Sequence, residues 1–398
     1  MLTRTPIARR LLAALPMLLM AAAGCSDEAE PTDPFDFGPE FSRRGNPRSF
    51  TVYTQNVYLG GDTGPIFSLD FGDIPALVAA TDLFWTEVQA SDVPERVSTM
   101  VDELEERQPH LVGLQEVFRF VELDLLTGTP VAVIDILASI EAEIAARGLP
   151  CEVVAVQDNT STGSAFGLPL TETFSRILQF TDRLAVLRRT DVSVSDSDQG
   201  TYAAQFMLGP LTLKRGWIRV TTEHQGVPYH FVTTHLETQA LLPLQAAQAG
   251  ELLDLVVAGL EGVTIIAGDL NSDPENPSAP SWTPTYDDMI TAGFTDVWPR
   301  TRRSSRNSGF TCCQDPSLRN DRSLLDQPID FVLVRRSDRA SKSGKVRGSM
   351  KVEIVGEEQA DRTLTLGLWP ADHAGLVAEL KLPGARSHKS RRSGKSQK

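Results

Sequence analysis

Apolar runs of strand length recur along the chain, and most of them stop at a polar side chain. Phe50–Asn56 (FTVYTQN) ends in Asn56, Leu111–Glu116 (LVGLQE) in Glu116 and Tyr229–His235 (YHFVTTH) in His235. The run beginning at Val263 (VTIIAGDLNSDP) breaks off in Gly268, Asp269, Leu270 and Asn271. Ile329–Val334 carries Asp330 inside an apolar DFVLV segment, and Trp369–His373 (WPADH) sets Asp372 and His373 before the final apolar run, Leu376–Leu382. Side chains alternate along a strand, so Asp269 and Asn271 point one way and Leu270 the other. Gly268 is expected to let the backbone approach a ligand where the strand ends. Any one of these ends reads as a solvated terminus or an Asp/Asn turn. Taken together they predict a site gathered at one rim of a sheet, on loops held by a rigid scaffold.

A different periodicity lies between these runs. Asp92 and Glu95 make a capping-box-like start, and Val93, Val97, Met100, Val101 and Leu104 keep helical spacing up to Gln108-Pro109. Val133–Arg147 and Gln239–Val257 are the next predicted helices. Alternating strands and helices predict an α/β protein. No internal repeat or inner domain boundary is evident.

The two ends differ from this middle. Arg4, Arg9 and Arg10 precede an apolar stretch, Leu11 to Ala23, that contains Pro16 and is too short for a mature transmembrane helix. Residues 1–24 therefore read as a signal peptide. Ala22-Ala23-Gly24-Cys25 resembles a lipoprotein cleavage site, with Cys25 as the lipidated new N-terminus and ordinary cleavage as the alternative. Residues 25–47 read as a flexible tether and 384–398 as a basic disordered tail, leaving 48–383 as the folded domain. The expected location is the cell envelope or outside the cell, with a monomer tied to the bacterial membrane by its lipid. A net charge of −14 argues against broad-surface gripping of nucleic acid. It does not exclude a nuclease, because metal ions can screen a site's carboxylates. Without Cys25, an odd number of cysteines remains. Cys151 could bridge to Cys312 or Cys313, or those two to each other, and no spacing suggests zinc.

A carboxylate and a carboxamide side by side can accept a proton or bind a cation while donating hydrogen bonds to an anion. The ordered motifs QNVYLG, LQEV, THLE, GDLN, PIDFVLV and ADH resemble the endonuclease/exonuclease/phosphatase superfamily, from about Arg48 to Leu382. Where that family usually has Arg-Ile-Asp and Ser-Asp-His, this chain has Pro328-Ile329-Asp330 and Ala371-Asp372-His373. The resemblance implies a four-layer α/β/β/α sandwich of two mixed β-sheets flanked by helices. It implies Mg²⁺, or Mn²⁺ in its place, on Glu116, Asn56 and Asp372, with Asp269 and Asn271 orienting water and phosphoryl group. His373 is expected to pair with Asp330 and His235 with Asp182, each carboxylate raising its partner's pKa for proton transfer. His110, His224, His230 and His388 are expected to serve only surface or packing roles.

The expected function is a secreted or membrane-tethered Mg²⁺-dependent phosphodiesterase. Its substrate would be nucleic acid or a sphingomyelin-type lipid headgroup. No exposed aromatic hairpin is obvious in the sequence, which counts against deep bilayer engagement, and no basic run suggests an inositol polyphosphate. A non-catalytic surface binding lipoprotein on the same fold is the alternative.

Overall fold

Two parallel strand pairs organise the molecule, a computed structural model. Phe50–Asn56 runs parallel to Leu111–Gln115, and Val227–His235 runs parallel to Gly262–Asp269. A parallel pair cannot be closed by a tight turn and needs a crossover packed on the sheet. The first crossover contains helices Ile74–Ala90 and Val93–Arg107, and the second contains Leu242–Glu251. Three of the four strands are buried along their whole length, which accounts for their nearly unbroken apolar sequences.

Antiparallel strands extend each pair into a mixed sheet. The first sheet runs Ser349–Val355, Gly375–Lys381, Phe50–Asn56, Leu111–Gln115, Arg176–Arg189, Arg119–Asp124, Thr129–Asp135, with Cys151–Ser161 and Leu168–Pro169 also paired to Arg176–Arg189. The second runs Thr295–Asp296, Asp330–Ser337, Gly262–Asp269, Val227–His235, Gly216–His224, Val194–Thr201. Their facing sides share one core, in which Val52, Leu111 and Val186 meet Ile218, Phe231 and Ile265. Gly113 lies at this contact, where a Cβ would stand 2.5 Å from Thr233 Oγ1, so its missing side chain lets the sheets close. Outside the second sheet, Ala249, Leu252 and Met289 pack on Val232, Ile266 and Leu333. Outside the first, Phe84, Trp85 and Val88 pack on Phe120 and Leu178. The result is the expected helix–sheet–sheet–helix sandwich.

The structure describes residues 49–163, 166–274, 282–298, 309–337, 346 and 348–384, all within one compact unit, Ser42–Lys398. The expected signal peptide, the tether with Cys25, and the tail beyond 384, with His388, lie outside the described residues. No described helix is long and apolar enough to cross a membrane.

Several expectations need correction. Val133 begins no helix, because Thr129–Asp135 is a strand rich in β-branched residues that pairs with Arg119–Asp124. The helix starts at Ile136, where the Asp135 side chain accepts a hydrogen bond from Ala138 N at 3.1 Å. At Val93–Arg107 the Asp92 cap is present, but Glu95 turns its carboxylate to the Thr365 and Leu366 amides instead of closing a capping box. Of the cysteine pairings left open, the bridge between Cys312 and Cys313 is the one formed, and Cys151 is free. An exposed hairpin does exist: Phe206–Leu208 pairs with Leu211–Leu213 and presents Phe206 and Met207 to solvent. It is only three residues long on each side, too short for a strand pattern to stand out.

Candidate active site

Sheet register explains how residues distant in sequence meet. His235 and Asp269 end neighbouring parallel strands opposite each other, and Asp269 also faces Asp330 across the antiparallel pair. Asn56 ends its own strand, and Glu116 follows Gln115 with a positive φ of 57° that turns the chain away from the sheet. Asn271 likewise has a positive φ, 49°, two residues past Asp269. Gly268 serves a different purpose from the expected one. A Cβ there would lie 2.1 Å from Thr234 O, so the glycine admits the neighbouring strand and not a ligand.

The side chains form one hydrogen-bonded network. Asn56 Nδ2 donates to Glu116 Oε1 at 3.1 Å and to Asp269 Oδ2 at 3.3 Å. The backbone amide of Asn271 donates to Asp269 Oδ1 at 2.8 Å, and that of Leu59 to Glu116 Oε2 at 3.0 Å. His235 Nε2 lies 3.4 Å and His373 Nε2 3.9 Å from Asp269 Oδ2. Behind His373, Nδ1 meets Asp330 Oδ2 at 2.8 Å. Glu116, Asp182, His235, Asp269, Asn271 and His373 line a cavity of about 680 Å³, while Asn56 and Asp330 stand behind as partners.

His235 departs from its expected pairing. Its Nδ1 contacts Arg215 Nη1 at 3.1 Å, whereas Asp182 accepts from Asn159 Nδ2 at 3.3 Å and lies 3.8 Å from Arg215. A guanidinium can only donate, so His235 Nδ1 accepts; Nε2 lies 3.4 Å from Asp269 Oδ2, which can accept its proton, and 3.1 Å from Asn271 Nδ2. Burial, Arg215 and His373 hold the His235 pKa well below the ordinary imidazole value, which makes it neutral. His373 is the reverse: burial opposes its charge, but Asp330, Asp372 and Asp269 hold its pKa well above that value. Burial, followed by the charge of Asp330, pushes Asp269 up to about 7.

Two arginines escaped the sequence reading. Arg215 sits in a Lys-Arg pair after a short strand, a pattern that ordinarily marks solvent. Here it is enclosed by Glu237 at 3.3 Å, Asp182 and His235. Arg96 belongs to the polar set of an amphipathic helix yet is buried, donating to the carbonyls of Val57 at 2.9 Å, Pro370 at 3.0 Å and Tyr58 at 3.2 Å. It thereby ties the loop after Asn56 to the one before Asp372. Nothing short of the tertiary contacts distinguishes either from a surface cation.

The donor set fits a hard divalent cation. Burial, then Glu116 after the opposing pull of His373, pushes Asp372 up to about 7, and its Oδ1 makes no hydrogen bond. Two carboxylates crowd each other here without enough positive charge to satisfy both. Mg²⁺ favours a few carboxylates together with waters, which Glu116 and Asp372 would leave room for. Among the described residues, Asp269, Asp330 and His373, and separately Cys312, Cys313 and His373, also bring potential ligand atoms within 4.8 Å of one another. His110 and His230 take packing positions, His110 accepting from Thr51 N at 3.0 Å and His230 lying 3.0 Å from the Glu261 carbonyl.

The profile of the Endonuclease/Exonuclease/phosphatase family matches residues 54–373. Among solved structures, TDP2 from C. elegans is 16% identical, with 83% of this chain and 75% of that one covered at a TM-score of 0.46. D. rerio TDP2 complexed with single strand DNA product is 15% identical, covering 83% of this chain and 98% of that one at 0.48. A mannosyl-6-phosphatase from Bacteroides thetaiotaomicron is 14% identical, covering 83% and 99% at 0.47. No curated protein matches the chain.

Proposed function

This chain belongs to the endonuclease/exonuclease/phosphatase family, whose members act on phosphoesters, and we propose that it hydrolyses phosphodiesters with the help of Mg²⁺ or Mn²⁺. The observation that carries this reading is the continuous chain from Glu116 through Asn56 and Asp269 to His235, with His373 and Asp330 on the other side of Asp269. A general base, a cationic donor and a neutral donor then surround one point in the cavity.

Glu116 and Asp372 would hold the metal, with Asn56 fixing the Glu116 carboxylate. Once bound, the ion supplies positive charge to the non-bridging and leaving oxygens. Asp269 takes the proton of the attacking water, a task suited by a pKa pushed up to about 7. Asn271 orients Asp269 through its backbone amide. His373, kept protonated by Asp330, donates to the phosphoryl or leaving oxygen. His235 donates a hydrogen bond through Nε2–H while remaining neutral. Asp182 acts through Arg215, helping to hold that cation against His235.

A substrate panel of DNA, RNA, sphingomyelin and inositol phosphates, run with Mg²⁺ and with EDTA, tests the activity. Phosphodiester cleavage should vanish with EDTA, and Glu116→Gln should lower it in a way that extra metal only partly restores. Cleavage of nothing at any metal concentration would favour a binding protein. Residues 1–24 as a signal peptide and Cys25 as a lipid anchor complete the proposal, supported by the Arg-rich start, the short apolar stretch and Ala23-Gly24-Cys25. Mass spectrometry of the N-terminal peptide from a bacterial host should find a diacylated Cys25, and an intact unmodified peptide would remove that part.

A further inference from the structure

The cavity is lined by two unlike sets of side chains. One is Glu116, Asp269, His235 and His373, the residues of the proposed chemistry. The other is an apolar wall of Phe67, Phe118, Phe206, Leu208 and Leu213, none of which is fully buried. Behind them stand the buried side chains of Phe84, Phe120 and Phe180, part of a core cluster against the helix Ile74–Ala90. Half-exposed apolar side chains converging on one concave surface are costly in water unless something apolar covers them. A volume of about 680 Å³ is of the size that takes a whole small ligand rather than a phosphate alone.

The charges along the wall point the same way. A nucleic-acid strand brings one negative charge per nucleotide, and its binding rests on lysines and arginines that meet those phosphates. Arg215 is the one lysine or arginine among the described residues that line the cavity, and Glu237 and Asp182 already face it. Among the described lining residues, a polyphosphate would meet the same shortage.

We infer that the site takes a phosphodiester bearing one compact apolar substituent, alkyl or aryl, which lies against the wall formed by Phe67, Phe118 and Phe206. This rests on the phosphodiesterase reading for its phosphate end and on the apolar wall for the rest. The catalytic residues fix the phosphorus, and the length and shape of the apolar end set which esters are bound well.

Calorimetric titration of the whole protein in Mg²⁺ with inorganic, ethyl, butyl, hexyl and octyl phosphate tests it, each kept below its self-association concentration. Such monoesters mimic a product and can place the chain in the compartment whichever side of the phosphorus it came from. Affinity should rise about fourfold per methylene until the compartment is filled. Phe206→Ser and Phe67→Ser should each cut the octyl gain by about tenfold, while Leu364→Ser, at a fully exposed site away from the cavity, should not change it. Phenyl phosphate above the hexyl line marks an aryl substituent, and below it an alkyl one. A flat series, or thymidine 5′-phosphate binding more tightly than octyl phosphate, would overturn the inference. A flat series beside cleavage of bis(p-nitrophenyl) phosphate removes the compartment and leaves the hydrolase. A steep series that neither EDTA nor Glu116→Gln alters, with no cleavage of any diester, does the opposite.

Discussion

The surroundings of His235 and His373 differ as much as two imidazole sites in one cavity can. Both rings are buried, and both come within 4 Å of the same Asp269 oxygen. Behind His373 stands a carboxylate, Asp330; behind His235 stands a guanidinium, Arg215. One ring is therefore held as a cation and the other as a neutral donor. Burial acts in the same direction on both, so the sign of the neighbouring charge decides the protonation state. Identical side chains, both within 4 Å of one acid, are thus assigned different work by what lies on their far sides.

The largest expected effect follows from the cationic ring. His373→Ala removes a proton donor and should lower turnover by about two to four orders of magnitude. His373→Gln should recover almost none of it, because an amide has no proton to give. At the other ring, His235→Gln keeps a side-chain N–H donor and should recover activity to within about tenfold of the parent, well above His235→Ala. Steady-state kinetics on the four variants checks the contrast. Equal losses for the two glutamine variants would break it.

Arg215 allows a test from the neutral side. Arg215→Met leaves Asp182 and Glu237 buried without their cation and should cost about 3–5 kcal/mol of stability, read from urea melts. With the guanidinium gone, the His235 pKa should rise towards the ordinary value, visible in an NMR titration of the imidazole. Arg215→Lys keeps a charge and should lose less stability. An unchanged His235 titration in Arg215→Met would show that the guanidinium does not set the state of that ring. Arg96→Leu belongs with these variants, because it strips the donors from the carbonyls of Val57, Tyr58, Ser91 and Pro370 and should destabilise by at least about 2 kcal/mol.

Asp330 was legible in sequence because it begins a strongly apolar strand, and His373 because it stands just before another, where a lone acid or imidazole stands out. The same holds for Asn56, Glu116, His235 and Asp269, and the strand Phe50–Asn56 has the bounds its pattern implies. Arg215 was not legible, because a basic residue beside Lys214 in a turn between strands looks solvated until Glu237 and Asp182 fold over it. The pairing of His235 was misassigned for the same reason: sequence shows which acids exist, not which cation comes between them. Helix Ile74–Ala90 carries apolar residues all round, so no single stripe stood out. The apolar wall of the cavity was also hidden, since Phe67, Phe118 and Phe206 come from three separate segments and meet only in the folded chain.

The smallest expected effect concerns protons and metal together. Asp182, Asp269 and Asp372 are each pushed up to about 7, chiefly by burial. Between the ordinary aspartate value of about 3.9 and that point, the folded protein holds protons that the unfolded chain has lost. Metal-free stability should therefore fall as pH rises through this window, and His373, whose pKa is also raised, adds a loss of the same sign above about pH 6.5. His235 acts oppositely: its depressed pKa stabilises the fold above about pH 6.5 and is lost as pH falls through and below that value. The metal ion competes with the carboxylate protons, so it binds better once they have left. Mg²⁺ should raise the melting temperature more at about pH 8 than at about pH 6, with saturation at a hundredfold excess over Kd worth about 2.7 kcal/mol. Glu116→Gln should flatten that pH dependence, because it removes one of the two crowded acids. Differential scanning calorimetry with and without Mg²⁺ at the two pH values measures this directly. A metal-induced gain that is the same at both would mean that the crowded carboxylates beside His373 are not where the ion binds.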